Sequence, residues 1–259
     1  MPIEQNPGPV SRIVAGLSKQ DMIATKDDIV RLVVERGFLP FFRGEIADFS
    51  LEEVTPAELW FPDDELNGMG VWDYKSDIIL DADCAYGKFY RNKACFVSME
   101  WFPDLVNYRR SRHHPSADDQ AILATLREHR SLLSHELKRL CGYVPVRKPR
   151  VTNPLERAFM HDVRPVVPAG TRTRQSFDAA ITRLQMAGYV VSAAFEYRHD
   201  KRGRRYGWGV ARYCTPEDFF GAERMLTDRT PAESRDRLLC HLSLLLPHAT
   251  SAQIERIIE

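Results

Sequence analysis

A chain of 259 residues with 44% hydrophobic side chains has length for one large domain or two ordinary ones, and enough apolar content for a packed core. No apolar run approaches the roughly 20 residues of a spanning helix, and the N-terminus lacks a charged-then-apolar leader, so neither membrane insertion nor export is expected. Five cysteines, an odd number without C-x-x-C spacing, argue against a disulfide framework and for a reducing cytoplasmic setting.

Residues 1–20 read as a tail, and 21–115 as a mixed α/β domain. Asp27 or Asp28 opens a helix with apolar Ile29, Val30, Leu32 and Val33, which Gly37 closes. A second element is expected from 38 to 49. Ser50-Leu51-Glu52-Glu53 reads as a helix cap with an acidic first turn, and Thr55-Pro56 as another helix start, where proline's missing N–H does no harm. Aromatic and charged residues crowd 83–91. Core packing is the expectation for most of these rings, with Trp72 and Tyr86, each flanked by charge, as exceptions.

Residues 116–214 change character twice. Ile122, Leu123 and Leu126 mark one amphipathic helix, and Leu133, Leu137 and Leu140 a second, with Ser134 as cap and Gly142 at its end. Phe177, Ile181 and Leu184 mark a third, capped by Thr171 or Thr173 and stopped by Gly188. The period then becomes twofold. A strand begins near Tyr189, Asp200-Lys201-Arg202-Gly203 makes a turn, and Tyr206, Trp208 and Val210 alternate on the return. Three helices and a ribbon in this order predict a winged helix. Between the second and third helices, residues 144–170 hold five prolines and five basic residues, which rules out a long regular element. Residues 215–259 predict a helix from Pro231 with Leu238, Leu239, Leu242, Leu245 and Leu246 on one wide face, then a final turn capped by Ser251; docking on the chain itself is expected.

Charge is neutral overall, with 36 basic and 36 acidic residues, but not locally. Residues 1–110 carry 12 basic and 19 acidic side chains, a net of −7; residues 111–214 carry 19 and 9, a net of +10; residues 215–259 carry 5 and 8, a net of −3. The positive excess falls on the segment that reads as a winged helix, which predicts double-stranded DNA as the partner. In such a module the third helix enters the major groove and the wing touches phosphates. The candidate contacts are therefore Arg174, Arg183 and Gln185 on or before that helix, and Lys201, Arg202, Arg204 and Arg205 at the wing tip. The alternative is a module recruited for protein contact, in which case Thr182, Arg183 and Gln185 are covered.

The runs Phe41-Phe42-Arg43-Gly44-Glu45-Ile46, Thr55-Pro56-Ala57-Glu58-Leu59-Trp60, Ala85-Tyr86-Gly87-Lys88-Phe89 and Tyr206-Gly207-Trp208-Gly209-Val210-Ala211-Arg212-Tyr213 resemble those of the AlkZ-related proteins, over roughly residues 20–250. That bacterial group takes its name from distant kinship to the AlkZ winged-helix DNA glycosylases. The resemblance implies a winged-helix fold, duplex DNA as partner and, at greater distance, excision of damaged, alkylated bases. The glycosylases carry a Gln-x-Gln catalytic motif, whereas no two of Gln5, Gln20, Gln120, Gln175, Gln185 and Gln253 stand two apart, and their chains hold several winged helices where one is evident here. Catalysis is not carried over.

If the chain nonetheless excises bases, a carboxylate must stabilise charge on the sugar or position a water. Glu45 and Asp83 are the candidates, since both lie among aromatic and basic residues in or beside the resembling stretches; the competing reading for each is a surface carboxylate or cap. Phosphate loops, nucleophile elbows and zinc-protease motifs are absent from the sequence, and the Gly207/Gly209 alternation reads as close backbone approach. His113-His114 lacks a second ligand pair at suitable spacing, so no metal and no cofactor is expected. The prediction is an α+β protein with an N-terminal mixed α/β domain, a winged helix and a C-terminal packing helix.

Overall fold

A computed structural model describes residues 22–61, 69–143, 176–203 and 205–259, with only the backbone of Tyr206. The 144–170 segment and the expected contacts Arg174 and Arg204 lie outside the described residues, as do Thr171 and Thr173. The chain is a mixed α/β protein with two three-stranded antiparallel sheets.

The first sheet runs β1 (Phe38–Pro40), β3 (Lys93–Ser98), β2 (Cys84–Tyr90), with Phe38 opposite Val97 and Cys84 opposite Ser98. Helix α1 (Lys26–Arg36) leads into it. Its cap is Thr25, one turn ahead of the expected aspartates: Asp28 is instead the third helical residue and reaches back to the Thr25 N–H at 2.9 Å. Gly37 ends α1 at φ +74, where an added Cβ would sit 2.3 Å from Trp101. Only 38–40 of the expected 38–49 element is strand. Helix α2 (Leu51–Val54) starts at Ser50 as expected, a 3₁₀ turn (Ala57–Leu59) follows Pro56, and α3 (Lys75–Asp81) leads to β2. Tyr86, expected as an exception, is core: it is 6% exposed with its ring 4.7 Å from Phe96.

The second sheet runs β4 (Ser131–Leu133), β6 (Arg205–Cys214), β5 (Val191–His199). Around it come α5 (Ala117–His129), α6 (Ser134–Leu140) and α7 (Phe177–Met186). Strand β4 went unforeseen because three residues carry no period of their own; pairing of Leu132 with Tyr213 makes it a strand. Ser134 is the first residue of α6 rather than its cap, and Leu140 is 44% exposed, so the apolar stripe ends at Leu137. Helix α7 is capped by Ser176, whose hydroxyl accepts from Ala179 N at 3.2 Å. Ile122, Leu126, Leu137, Ile181, Leu184 and Val190 form the core between these helices and the sheet.

A short helix α8 (Pro216–Phe220) and a 3₁₀ turn (Glu223–Met225) precede α9 (Pro231–Leu245) and α10 (Ser251–Ile258). The last helix is capped by Thr250, one residue before Ser251. Leu238, Leu242, Leu245 and Leu246 are buried with Phe38, Phe102 and Ile257 in one continuous core. Docking is polar as well as apolar. Fully buried Asp104 on α4 (Phe102–Arg112) accepts from Arg229 at 2.7 Å and Ser234 at 2.7 Å, and pairs with Arg237. Among the described residues no helix is long and apolar enough to cross a membrane, and all five cysteines are free thiols.

Candidate nucleic-acid interface

The described residues expected to contact nucleic acid lie on two surfaces beside the second sheet: helix α7 and the β5–β6 ribbon. Helix α7 is amphipathic, but three of its polar residues, Thr182, Arg183 and Gln185, are engaged within the chain. Gln185 is 2% exposed and its side-chain oxygen accepts from Lys88 N on β2 at 2.7 Å. Lys88 Nζ donates to Thr182 at 2.9 Å. Arg183 lies in a two-pronged pair with buried Asp119, its Nε 3.1 Å from Oδ2. Burial acts to raise the Asp119 carboxyl, but Arg183 and the Ser116 cap outweigh it and hold the group below its usual range. Gln185, expected at a base edge, is therefore committed to the chain's own β2. Of the residues whose covering would mark a contact surface, Gln185 is buried and Thr182 and Arg183 are half-buried.

What remains of α7 faces a concavity. A cleft of about 820 Å³ lies between α7, the α4–α5 link and the β2–β3 hairpin, with Lys88, Arg112, His113, His114, Arg183 and Glu259 among its lining residues. A helix that reads a major groove must protrude into it. This one lines a hollow of mixed charge. Among the described residues no cluster of His, Cys, Asp and Glu is arranged to hold a metal ion.

The ribbon is more exposed. Gly203 N donates to Asp200 O at 3.0 Å, closing the tip, and Gly203 takes φ +77 as the turn requires. Lys201 and Arg202 stand in solvent at this tip, with no ion pair among the described residues. Arg205 is anchored: it donates to Asp73 at 3.2 Å and its guanidinium lies 3.6 Å from the Tyr197 ring centroid. Behind the tip stand Trp208, 68% exposed, and Phe61, 60% exposed. The exposure of Trp208 was not legible, because Tyr206/Trp208/Val210 alternation assigns it to one side of a regular strand, while the strand is irregular there. The flanking glycines were the signal. Gly209 does approach closely, as expected, since an added Cβ would sit 2.8 Å from Tyr197; Gly207 meets nothing within 4 Å.

The two candidate carboxylates lie elsewhere, apart from each other and from the cleft lining. Glu45 accepts from Arg256 at 2.8 and 3.1 Å and pairs with Arg91 at 2.7 Å. Its hydrogen bond with Arg256 and the pair with Arg91 hold it below the usual carboxylate range, as an ionised group whose oxygens are taken up by two arginines. Asp83 sits at φ +45 before β2 and pairs with Arg224, one oxygen at 3.1 Å. Both are surface carboxylates in ion pairs.

The family model described as AlkZ related matches residues 23–259. No curated protein matches the chain, and no solved structure matches it.

Proposed function

Because the chain belongs to the AlkZ-related family, we propose that it is a DNA-repair protein that binds double-stranded DNA through a winged helix, gripping it with the wing rather than with the third helix. The element order α5, β4, α6, α7, β5, β6 and the sheet order β4-β6-β5 support the module. The observation that carries the reading is the ribbon tip, where exposed Lys201 and Arg202 project with no side-chain ion pair among the described residues, the Asp200 carboxylate there accepting from the Arg202 N–H at 2.8 Å. Two such cations repel each other unless an anion neutralises them, and phosphate is the anion that a family linked to DNA repair supplies. Arg204 extends the set in sequence, while Arg205 is partly occupied by Asp73.

On this reading binding is sequence-independent and strongly salt-dependent. Helix α7 acts as a strut, so the protein-contact alternative is met inside the chain, by α7 on β2. Base excision has less support, since Glu45 and Asp83 stand in ion pairs away from the ribbon's aromatic face. The free thiols accord with a cytoplasmic setting.

The test replaces Lys201 and Arg202 by Ser. Duplex affinity should fall regardless of sequence, and the slope of log affinity against log salt should become shallower by about 2 units, roughly 0.9 per phosphate contact. An unchanged slope would remove the wing from the interface.

A further inference from the structure

Three aromatic rings meet beside the β5–β6 ribbon, and two stand largely in solvent. The Trp208 centroid lies 5.4 Å from Trp72 and 6.0 Å from Phe61, edge-on to both, while Phe61 and Trp72 are 6.2 Å apart. Trp72 is fixed from behind: Lys75 Nζ lies 3.5 Å from its ring and the Phe41 ring 5.8 Å away. The cluster is a rigid base carrying an open ring, whereas isolated surface aromatics need no explanation.

The backbone is shaped to present that ring. Pairing jumps from Glu196–Val210 to Arg198–Tyr206, so Gly207, Trp208 and Gly209 together face Tyr197 alone. Gly207 takes φ +73, a conformation a side chain would oppose, and Gly209 leaves room for the Tyr197 ring. A bulge of this kind bends a strand and re-aims a side chain. Here the side chain is Trp208, turned onto Trp72 and Phe61 and into solvent.

Charge decides what the rings meet. Arg198, Lys201, Arg202 and Arg205 are exposed on the same ribbon, while its carboxylates Glu196 and Asp200 and the neighbouring Asp73 are engaged by Arg212, by the Arg202 N–H and by Arg205. An apolar ring face bordered by cations suits a nucleobase with its phosphates alongside. In a paired duplex both faces of every base are already stacked, so only a base that has left the helix can lie on Trp208.

We propose that Trp208, braced by Trp72 and flanked by Phe61, stacks on an unpaired nucleobase, so that the protein selects DNA with a displaced base over intact duplex. The inference rests on the wing reading for its duplex grip but adds the class of DNA selected. Selection is indifferent to base identity, because every base offers a π face.

The test measures binding of the full chain, by fluorescence anisotropy, to a fully paired duplex, to the same duplex with a one-nucleotide bulge, and to oligothymidylate. Wild type should bind the bulged duplex about ten-fold tighter than the paired one, the value of one stacked base. W208S, at an exposed site between glycines, should keep the thermal unfolding midpoint and the paired-duplex affinity but lose the preference; F61S should reduce it. Equal binding of both duplexes by wild type overturns the stacking proposal and leaves the wing reading standing, as does a preference that survives in W208S. Failure to bind paired duplex overturns the wing reading; binding of oligothymidylate that depends on Trp208 would then still uphold stacking, and its absence would overturn it. Self-association lost in W208S, with DNA preference unchanged, assigns the rings to a second copy and overturns the proposal.

Discussion

Gln185 accepts a hydrogen bond at 2.7 Å from the backbone N–H of Lys88, 97 residues earlier in the chain. The contact joins α7 to the first sheet, and it makes a nominal reader helix part of the scaffold.

Its removal should register in stability. Gln185→Ala leaves the part-buried Lys88 N–H without its side-chain partner, at a cost of about 1 kcal/mol. Urea unfolding should show that loss, while duplex affinity, measured where the variant is fully folded, stays within error. Affinity that falls while stability holds would return Gln185 to the DNA interface.

Arg109 should be the most sensitive single position. It is fully buried and donates to Phe89 O, Met186 O, Ile257 O and Ile258 O, tying β2, α7 and α10 together. Arg109→Leu strands four carbonyls and should cost about 3 kcal/mol or more. Arg109→Lys should recover little, because one ammonium cannot span three segments in the planar fork's geometry. A lysine variant as stable as wild type by urea unfolding would contradict this.

Lys75 sets a pH dependence. It is 2% exposed among Trp72, Phe195 and Phe41, and burial lowers its pKa to about 8 from 10.5, only partly offset by Asp73. The unfolded chain therefore binds more protons between about pH 8 and 10.5, and stability contributed by this group rises with pH through that window. The same contribution is lost as pH falls from about 10.5 to about 8, by an amount on the order of 3 kcal/mol. Parallel pH-stability curves for wild type and Lys75→Met test this: the difference between them should shrink or reverse across the window, and a constant offset would exclude it.

Glu45→Gln and Asp83→Asn should be mild. Each breaks an exposed ion pair, worth about 0–1 kcal/mol. Neither should change duplex affinity or any release of alkylated bases. Loss of base release in either variant, with folding intact, would reinstate it as a catalytic group.

Periodicity carried most of the helices: Ile122/Leu126, Phe177/Ile181/Leu184 and Leu238/Leu242/Leu245 are all buried, as their spacing requires. Turn chemistry carried the tip at 200–203. Caps slipped where two candidates stood close together, as at Thr25 against Asp27 and Asp28, and at Thr250 against Ser251. What stayed hidden depended on partners distant in sequence. Gln185 looks like any polar helix residue until β2 supplies Lys88, and β4 is a strand only because β6 lies beside it. Trp208 illustrates the same limit: a strict twofold pattern has no way to register a bulge, although glycine on both sides marks where one is affordable.

The core that buries Leu238 and Ile257 with Phe38 has a consequence for how the chain acquires its shape. His241 meets the Arg36 carbonyl and Arg256 meets Glu45, spans of 205 and 211 residues, so these contacts demand closure of nearly the longest loops the chain can form. Folding dominated by such distant pairings is slow, because loop-closure entropy is lost before the contacts that offset it exist. A fragment ending before α9 would lack the leucines that seal the first sheet, and should be captured by chaperones or cleaved rather than behave as an independent module.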